Sequence, residues 1–139
     1  MPLRSLLTLI AVLFNLAAIP AHAQERKWHN AEAIQSQLYF GLRSKDGAGV
    51  SEQAWARFLS EVVTPRFPDG LTVLSAYGQS RDQASAPALT TAETTKLLLI
   101  VHPDTHDAQK KLGEIKAEYV KRFKQDSVFQ VEVPARIVE

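Results

Sequence analysis

An α+β fold, with a four-stranded antiparallel sheet and two helices on one face, is what residues 36–139 predict on three observations. Two stretches repeat apolar residues at three- and four-residue steps, the period of an amphipathic helix. Four short runs rich in aliphatic, aromatic and β-branched residues are bounded by Gly, Pro, Asp and Ser, as strands between turns are. The two kinds of segment follow the order β-α-β-β-α-β, the split arrangement of ferredoxin-like folds.

The first strand is Gln37–Arg43, ended by the turn Lys45-Asp46-Gly47-Ala48-Gly49. Ser51 then has the chemistry of an N-cap, and Glu52 places a negative charge where the helix dipole favours it. Val50 and Trp55 stand at the spacing of a hydrophobic staple. Trp55, Phe58, Leu59, Val62 and Val63 form the apolar stripe, and Pro65 closes the helix at Thr64. Phe67-Pro68-Asp69-Gly70 is a turn by composition. Leu71–Gln79 is the second strand, residues 80–93 a polar, Ala/Ser-rich loop, and Thr95–His102 the third strand. Pro103-Asp104-Thr105 opens the second helix, whose stripe is Ala108, Leu112, Ile115, Tyr119 and Phe123. Lys121, Arg122 and Lys124 suit its negative C-terminal end. Val128–Val133 is the fourth strand.

Right-handed crossovers put both helices on one side of such a sheet. Alternation sorts the third strand into Leu97, Leu99 and Val101 on one side and Lys96, Leu98, Ile100 and His102 on the other. The lysine and histidine assign the second set to the helix-free side, which leaves Leu98 and Ile100 in need of a cover. A second copy of the chain is the expected cover, since a two-fold axis buries the same patch twice. On the first strand, Leu38, Phe40 and Leu42 face the helices, so Tyr39, Gly41 and Arg43 look onto the open side, where His102 is expected beside them.

Ahead of the domain, Arg4, the apolar run Leu6–Leu16 and Ala21-His22-Ala23 form the basic, apolar and cleavage regions of a secretory signal peptide over residues 1–23. Asn15 and Pro20 interrupt the apolar stretch, which falls short of the ~20 residues of a spanning helix. Residues 24–35 read as a polar tether. The expected location is therefore periplasmic or secreted, with no membrane anchor after cleavage. The chain carries a net charge of +1 and no Cys. Loss of Arg4 with the leader leaves a balanced charge, which argues against nucleic acid as a partner. Without Cys, a lipid anchor, thiolate chemistry and disulfides are excluded.

His102-Pro103-Asp104-Thr105-His106-Asp107 is the densest polar cluster, a metal site by residue type or a capped strand-to-helix junction by position. Tyr39, Arg43 and His102 around an apolar floor have the chemistry to hold a small anion or aromatic acid. They also fit the polar rim of a dimer interface, where Tyr and Arg are enriched. Arg66 lies in a rigid loop between two prolines and is either presented to a ligand or bonded to local carbonyls. No nucleophile elbow, phosphate loop or dinucleotide fingerprint occurs, so no catalytic set and no cofactor is expected.

Leu38-Tyr39-Phe40-Gly41-Leu42, Val62 to Val73 with its Thr64-Pro65-Arg66-Phe67-Pro68-Asp69-Gly70 string, Gly78-Gln79, Lys96 to Pro103, Tyr119 to Phe123 and Gln125 to Val128 together resemble the family known as domain of unknown function 3574. The resemblance spans nearly all of residues 37–131. It implies a small exported bacterial protein, implies no activity, and points to Tyr39, Arg66, Gly78-Gln79 and His102 as family-typical positions. Ser80 and the lack of a Cys depart from that pattern.

Two functions follow as expectations. One is a dimeric module that binds a small molecule or an envelope protein, with Tyr39, Arg43, Arg66, Gln79 and His102 as ligand-binding candidates. The other is a cofactor-independent monooxygenase- or isomerase-like enzyme on a dimeric ferredoxin-like barrel, with His102 as general base and Tyr39 and Arg43 as anion clamp.

Overall fold

Aromatic rings decide where the core forms. The computed structural model describes residues 32–138 apart from positions 45, 83 and 85. The leader and residues 24–31 of the tether lie outside them. Strand β1 is Glu32–Gly41, so residues 32–35 belong to the sheet and the tether stops short of them. Its early residues alternate too weakly in hydropathy to read as strand, but their backbone pairs with strands on both sides.

Helix α1 (Glu52–Phe58) runs into a π-helical turn at Leu59–Val63. Ser51 caps it, its Oγ accepting from the Ala54 amide at 3.1 Å. Strands β2 (Thr72–Asp82) and β3 (Leu89–His102) form one long hairpin. The expected loop over 80–93 is therefore mostly ladder: Ser, Thr and Ala carry little periodic signal, and cross-strand hydrogen bonds alone hold them extended. Helix α2 (His106–Phe123) is capped by Thr105, whose Oγ1 accepts from the Ala108 amide at 3.2 Å, and β4 is Phe129–Arg136.

The strand order β2-β3-β1-β4, all neighbours antiparallel, with both helices on one face, is the predicted α+β, ferredoxin-like arrangement. Phe40 stands at the centre of the core, with ring centroids 4.7 Å from Tyr119, 5.1 Å from Trp55 and 5.9 Å from Phe58. Such tilted and edge-on pairs add to what burial alone contributes. Tyr119 keeps its polar tip by donating to the Gly41 carbonyl at 2.8 Å.

The face assignment of β3 is corrected. Leu98 and Ile100, 0% and 1% exposed, lie under the helices, with Leu38 opposite Leu98 on β1. Lys96 and His102 share that face and are buried too. Local partners make this tolerable: Lys96 Nζ reaches Glu52 Oε1 at 2.7 Å and Ser75 Oγ at 3.0 Å. Polar ends with satisfied bonds can therefore flank an apolar core. The helix-free face instead carries Leu97, Leu99 and Val101, joined by Leu74, Tyr39, Phe129, Val131 and Val133.

Candidate functional site

At one end of the helix-free face lies a hollow of about 440 Å³ lined by Tyr39, Gly41, Arg43, Glu93, Thr95, Asp126 and Phe129 among others. Pairing dictates its geometry. Tyr39 is opposite Phe129 on β4, their ring centroids 5.6 Å apart, and Gly41 is opposite Thr95 on β3. Glu93 folds its carboxylate across the backbone of Gly41; a Cβ at that position would collide with it, so glycine is what lets the carboxylate lie flat on the sheet. The Arg43 amide donates to Glu93 Oε1 at 3.3 Å, while the Arg43 guanidinium turns to the Ala92 carbonyl at 3.4 Å. Gln125 fixes the chain at Arg43 by donating to its carbonyl at 2.8 Å. An apolar wall, a carboxylate and a rim of mixed charge make a place for a small ligand.

On the other side of the sheet, His102 is buried against Phe67, with ring centroids 5.8 Å apart. Its Nδ1 is 2.8 Å from the Pro103 carbonyl, which can only accept, so Nδ1 carries the hydrogen. In the neutral ring Nε2 therefore accepts from the Ser36 hydroxyl at 2.7 Å. The same hydroxyl has an alternative acceptor in Glu132 Oε1 at 3.2 Å, which also receives Gln109 Nε2 at 2.7 Å and Gln130 Nε2 at 2.8 Å. These bonds, that of Gln109 foremost, hold the Glu132 carboxyl below the usual carboxylate range. Ser36 is fully buried, so no substrate reaches its hydroxyl; the network ties β1, β3, β4 and α2 together.

A second hollow, about 210 Å³, joins the Arg66–Gly70 loop to the start of α2 and is lined by His102, Asp107 and Lys111 as well. Its cations are taken. Arg66 Nε pairs with Glu114 Oε2 at 3.1 Å and donates through its terminal nitrogen to the Val62 carbonyl at 2.7 Å, and Lys111 pairs with Asp107 at 2.7 Å.

The predicted residues are thus divided. Tyr39 and Arg43 share the first hollow, and Arg66 and His102 the second, with the sheet between them. Gln79 sits opposite Ala92 in the outer part of the hairpin and lines neither. His102 is not beside Tyr39, because it belongs to the opposite set of the pleat. The 102–107 cluster splits in the same way: His102 is buried while Asp104, His106 and Asp107 are exposed, and among the described residues no group of three or more His, Asp or Glu is placed to hold a metal ion. Glu93, Thr95 and Phe129 were missed, the first because it fell in the expected loop. Extending the alternation of 95–102 backward would have grouped Glu93 with Leu97, Leu99 and Val101, the set that only the corrected parity of β3 places on the open face.

Residues 35–138 match the family described as protein of unknown function, DUF3574. The chain belongs to the DUF3574 family. No curated protein sequence matches this DUF3574 member. Among solved structures it is similar to a phage SAM lyase in complex with S-methyl-5'-thioadenosine, at 16% identity and a TM-score of 0.58, covering 84% of this chain and 95% of that one. The same lyase in its apo state gives 14% and 0.52, covering 78% and 90%. The GlnK–ATP complex of B. subtilis gives 12% and 0.44, covering 73% and 82%. At these identities the DUF3574 domain shares a fold with the lyase.

Proposed function

We propose that this DUF3574 protein is an exported binding module, periplasmic or secreted, that pairs with a second copy of itself through the helix-free sheet face and takes a small molecule at the end of that face. One observation carries the reading. The middle of the face carries no charge and is apolar apart from Gln35 and Gln37 of β1, with Leu74 48%, Val101 39% and Val133 42% exposed, Leu97, Leu99 and Val131 between them, and Phe129, 65% exposed, at the end beside the hollow. Four strands ~4.8 Å apart, each contributing about eight residues at ~3.3 Å, give a flat footprint of roughly 500 Å². Side-chain relief raises that toward the ~800 Å² per partner of a standard interface. A face without charge meets its own copy with no like-charge repulsion, which favours a two-fold pair over a charged partner.

An enzymatic reading built on His102, Tyr39 and Arg43 loses its constellation, because the sheet lies between His102 and the other two. The likeness to a lyase is one of fold, and fold does not carry chemistry.

The test is sedimentation of the purified protein and of its Leu99→Lys variant at ~100 µM. The expected outcome is a dimer for the parent and a folded monomer for the variant. A monomeric parent overturns the pairing. Export is checked by N-terminal sequencing of the protein from a periplasmic fraction, where a chain starting at Gln24 is expected and one starting at Met1 refutes cleavage.

A further inference from the structure

Glu93 is a half-buried carboxylate that pairs with no cation among the described residues. Among the described residues it receives one hydrogen bond, from the Arg43 amide, and no ion pair, since the Arg43 guanidinium turns to a backbone carbonyl instead. Its charge is felt inside the protein, where it adds to burial in pushing the Tyr119 hydroxyl above the usual phenol range. Two aromatic rings, Tyr39 and Phe129, line the same hollow. An anion, the ligand suggested by Arg43 alone, meets the Glu93 carboxylate there.

We infer that this hollow binds a small organic cation with a flat apolar group, of the arylalkylamine class: the ammonium on the Glu93 carboxylate and the ring against Tyr39 and Phe129. A charge-assisted hydrogen bond is the stronger kind, and a ring face attracts a cation at close range. The volume of about 440 Å³ accommodates a molecule of that size. Gly41 is part of the recognition, because a side chain there would push the carboxylate off the floor. The inference deepens the binding-module reading by naming the ligand class of its hollow.

Three probes of one shape and different charge test it: phenethylamine, 2-phenylethanol and phenylacetate, titrated by calorimetry into the purified protein and into Glu93→Gln. Phenethylamine is expected to bind saturably and tighter than the alcohol by tenfold or more, phenylacetate not to bind, and Glu93→Gln to lose the amine preference at unchanged melting temperature. Amide shifts at Tyr39, Thr95 and Phe129 on adding phenethylamine locate the site independently of the variant. Phenylacetate binding as well as phenethylamine overturns the inference, as does no saturable amine binding up to ~10 mM. Sedimentation of the same samples separates the two readings: amine binding by a monomer refutes the pairing alone, and a dimer indifferent to the amine refutes the ligand class alone.

Discussion

Buried His102 keeps both ring nitrogens bonded, and removing the ring leaves more than a cavity. The Ser36 hydroxyl loses its 2.7 Å partner and the Pro103 carbonyl its 2.8 Å donor. Lost packing against Phe67 together with those groups predicts that His102→Ala destabilises the fold by about 2–4 kcal/mol. Ser36→Ala, which removes one hydroxyl and leaves Gln109 and Gln130 on Glu132, is expected to cost about 1–2 kcal/mol. Urea unfolding measures both, and a His102→Ala loss under about 0.5 kcal/mol, the size of an ordinary surface change, would show the network to be ornamental. Glu132 adds a pH dependence with a definite sign. Its carboxyl is depressed in the folded state, so it contributes stability above its ordinary value of 4.5, and that contribution is lost as the pH falls through the lower folded value. Glu132→Gln should flatten the stability profile in that acid window and leave neutral pH nearly untouched; an unchanged acid limb counts against the assignment.

The two helices owe their starts to single hydroxyls. Ser51 and Thr105 each accept from the amide three residues on, and each cap is worth about 1 kcal/mol, so Ser51→Ala and Thr105→Ala are expected to shift the urea midpoint by similar amounts. Trp55→Ala belongs to another class, because Trp55 packs on Phe40, Phe58 and Tyr119 and fills the staple with Val50; about 3–5 kcal/mol is expected. A Trp55 loss no larger than a cap loss would place the core elsewhere. These helix starts were readable from local chemistry, since capping and stapling act within one turn. The extent of the strands was not. Residues 32–35, 80–82 and 89–93 have weak periodicity of their own and are held extended by their cross-strand partners. The π-helical turn at Leu59–Val63 was equally invisible; there the Thr64 amide reaches the Leu59 carbonyl at 2.8 Å, and the widened turn precedes the Pro65 bend.

As a whole the domain has one face sealed by helices and one bare, and its behaviour in solution follows from that asymmetry. If the bare face pairs with a second copy, the melting temperature rises with protein concentration by mass action. Because that face has no charge at its centre, the association should change little between low and high salt, unlike one made of ion pairs. Differential scanning at several concentrations and salt levels reads both. A melting temperature independent of concentration, or a dimer dissolved by salt, contradicts an apolar seam between copies.

The sequence by itself determined the order of elements, the helix caps, the aromatic core residues on β1, α1 and α2, and the family, because each rests on neighbours within a few positions or on a string read directly. Only the tertiary structure decided which side of β3 is inside. A strand apolar on both sides looks the same when turned over, and Lys96 and His102 pass as inside residues only once Glu52, Ser75, Ser36 and Pro103 are seen to bond them. The same pleat parity parted His102 from Tyr39 and brought Glu93, from a segment that looked like a loop, over Gly41. Long-range pairing sets parity, and no local pattern encodes it.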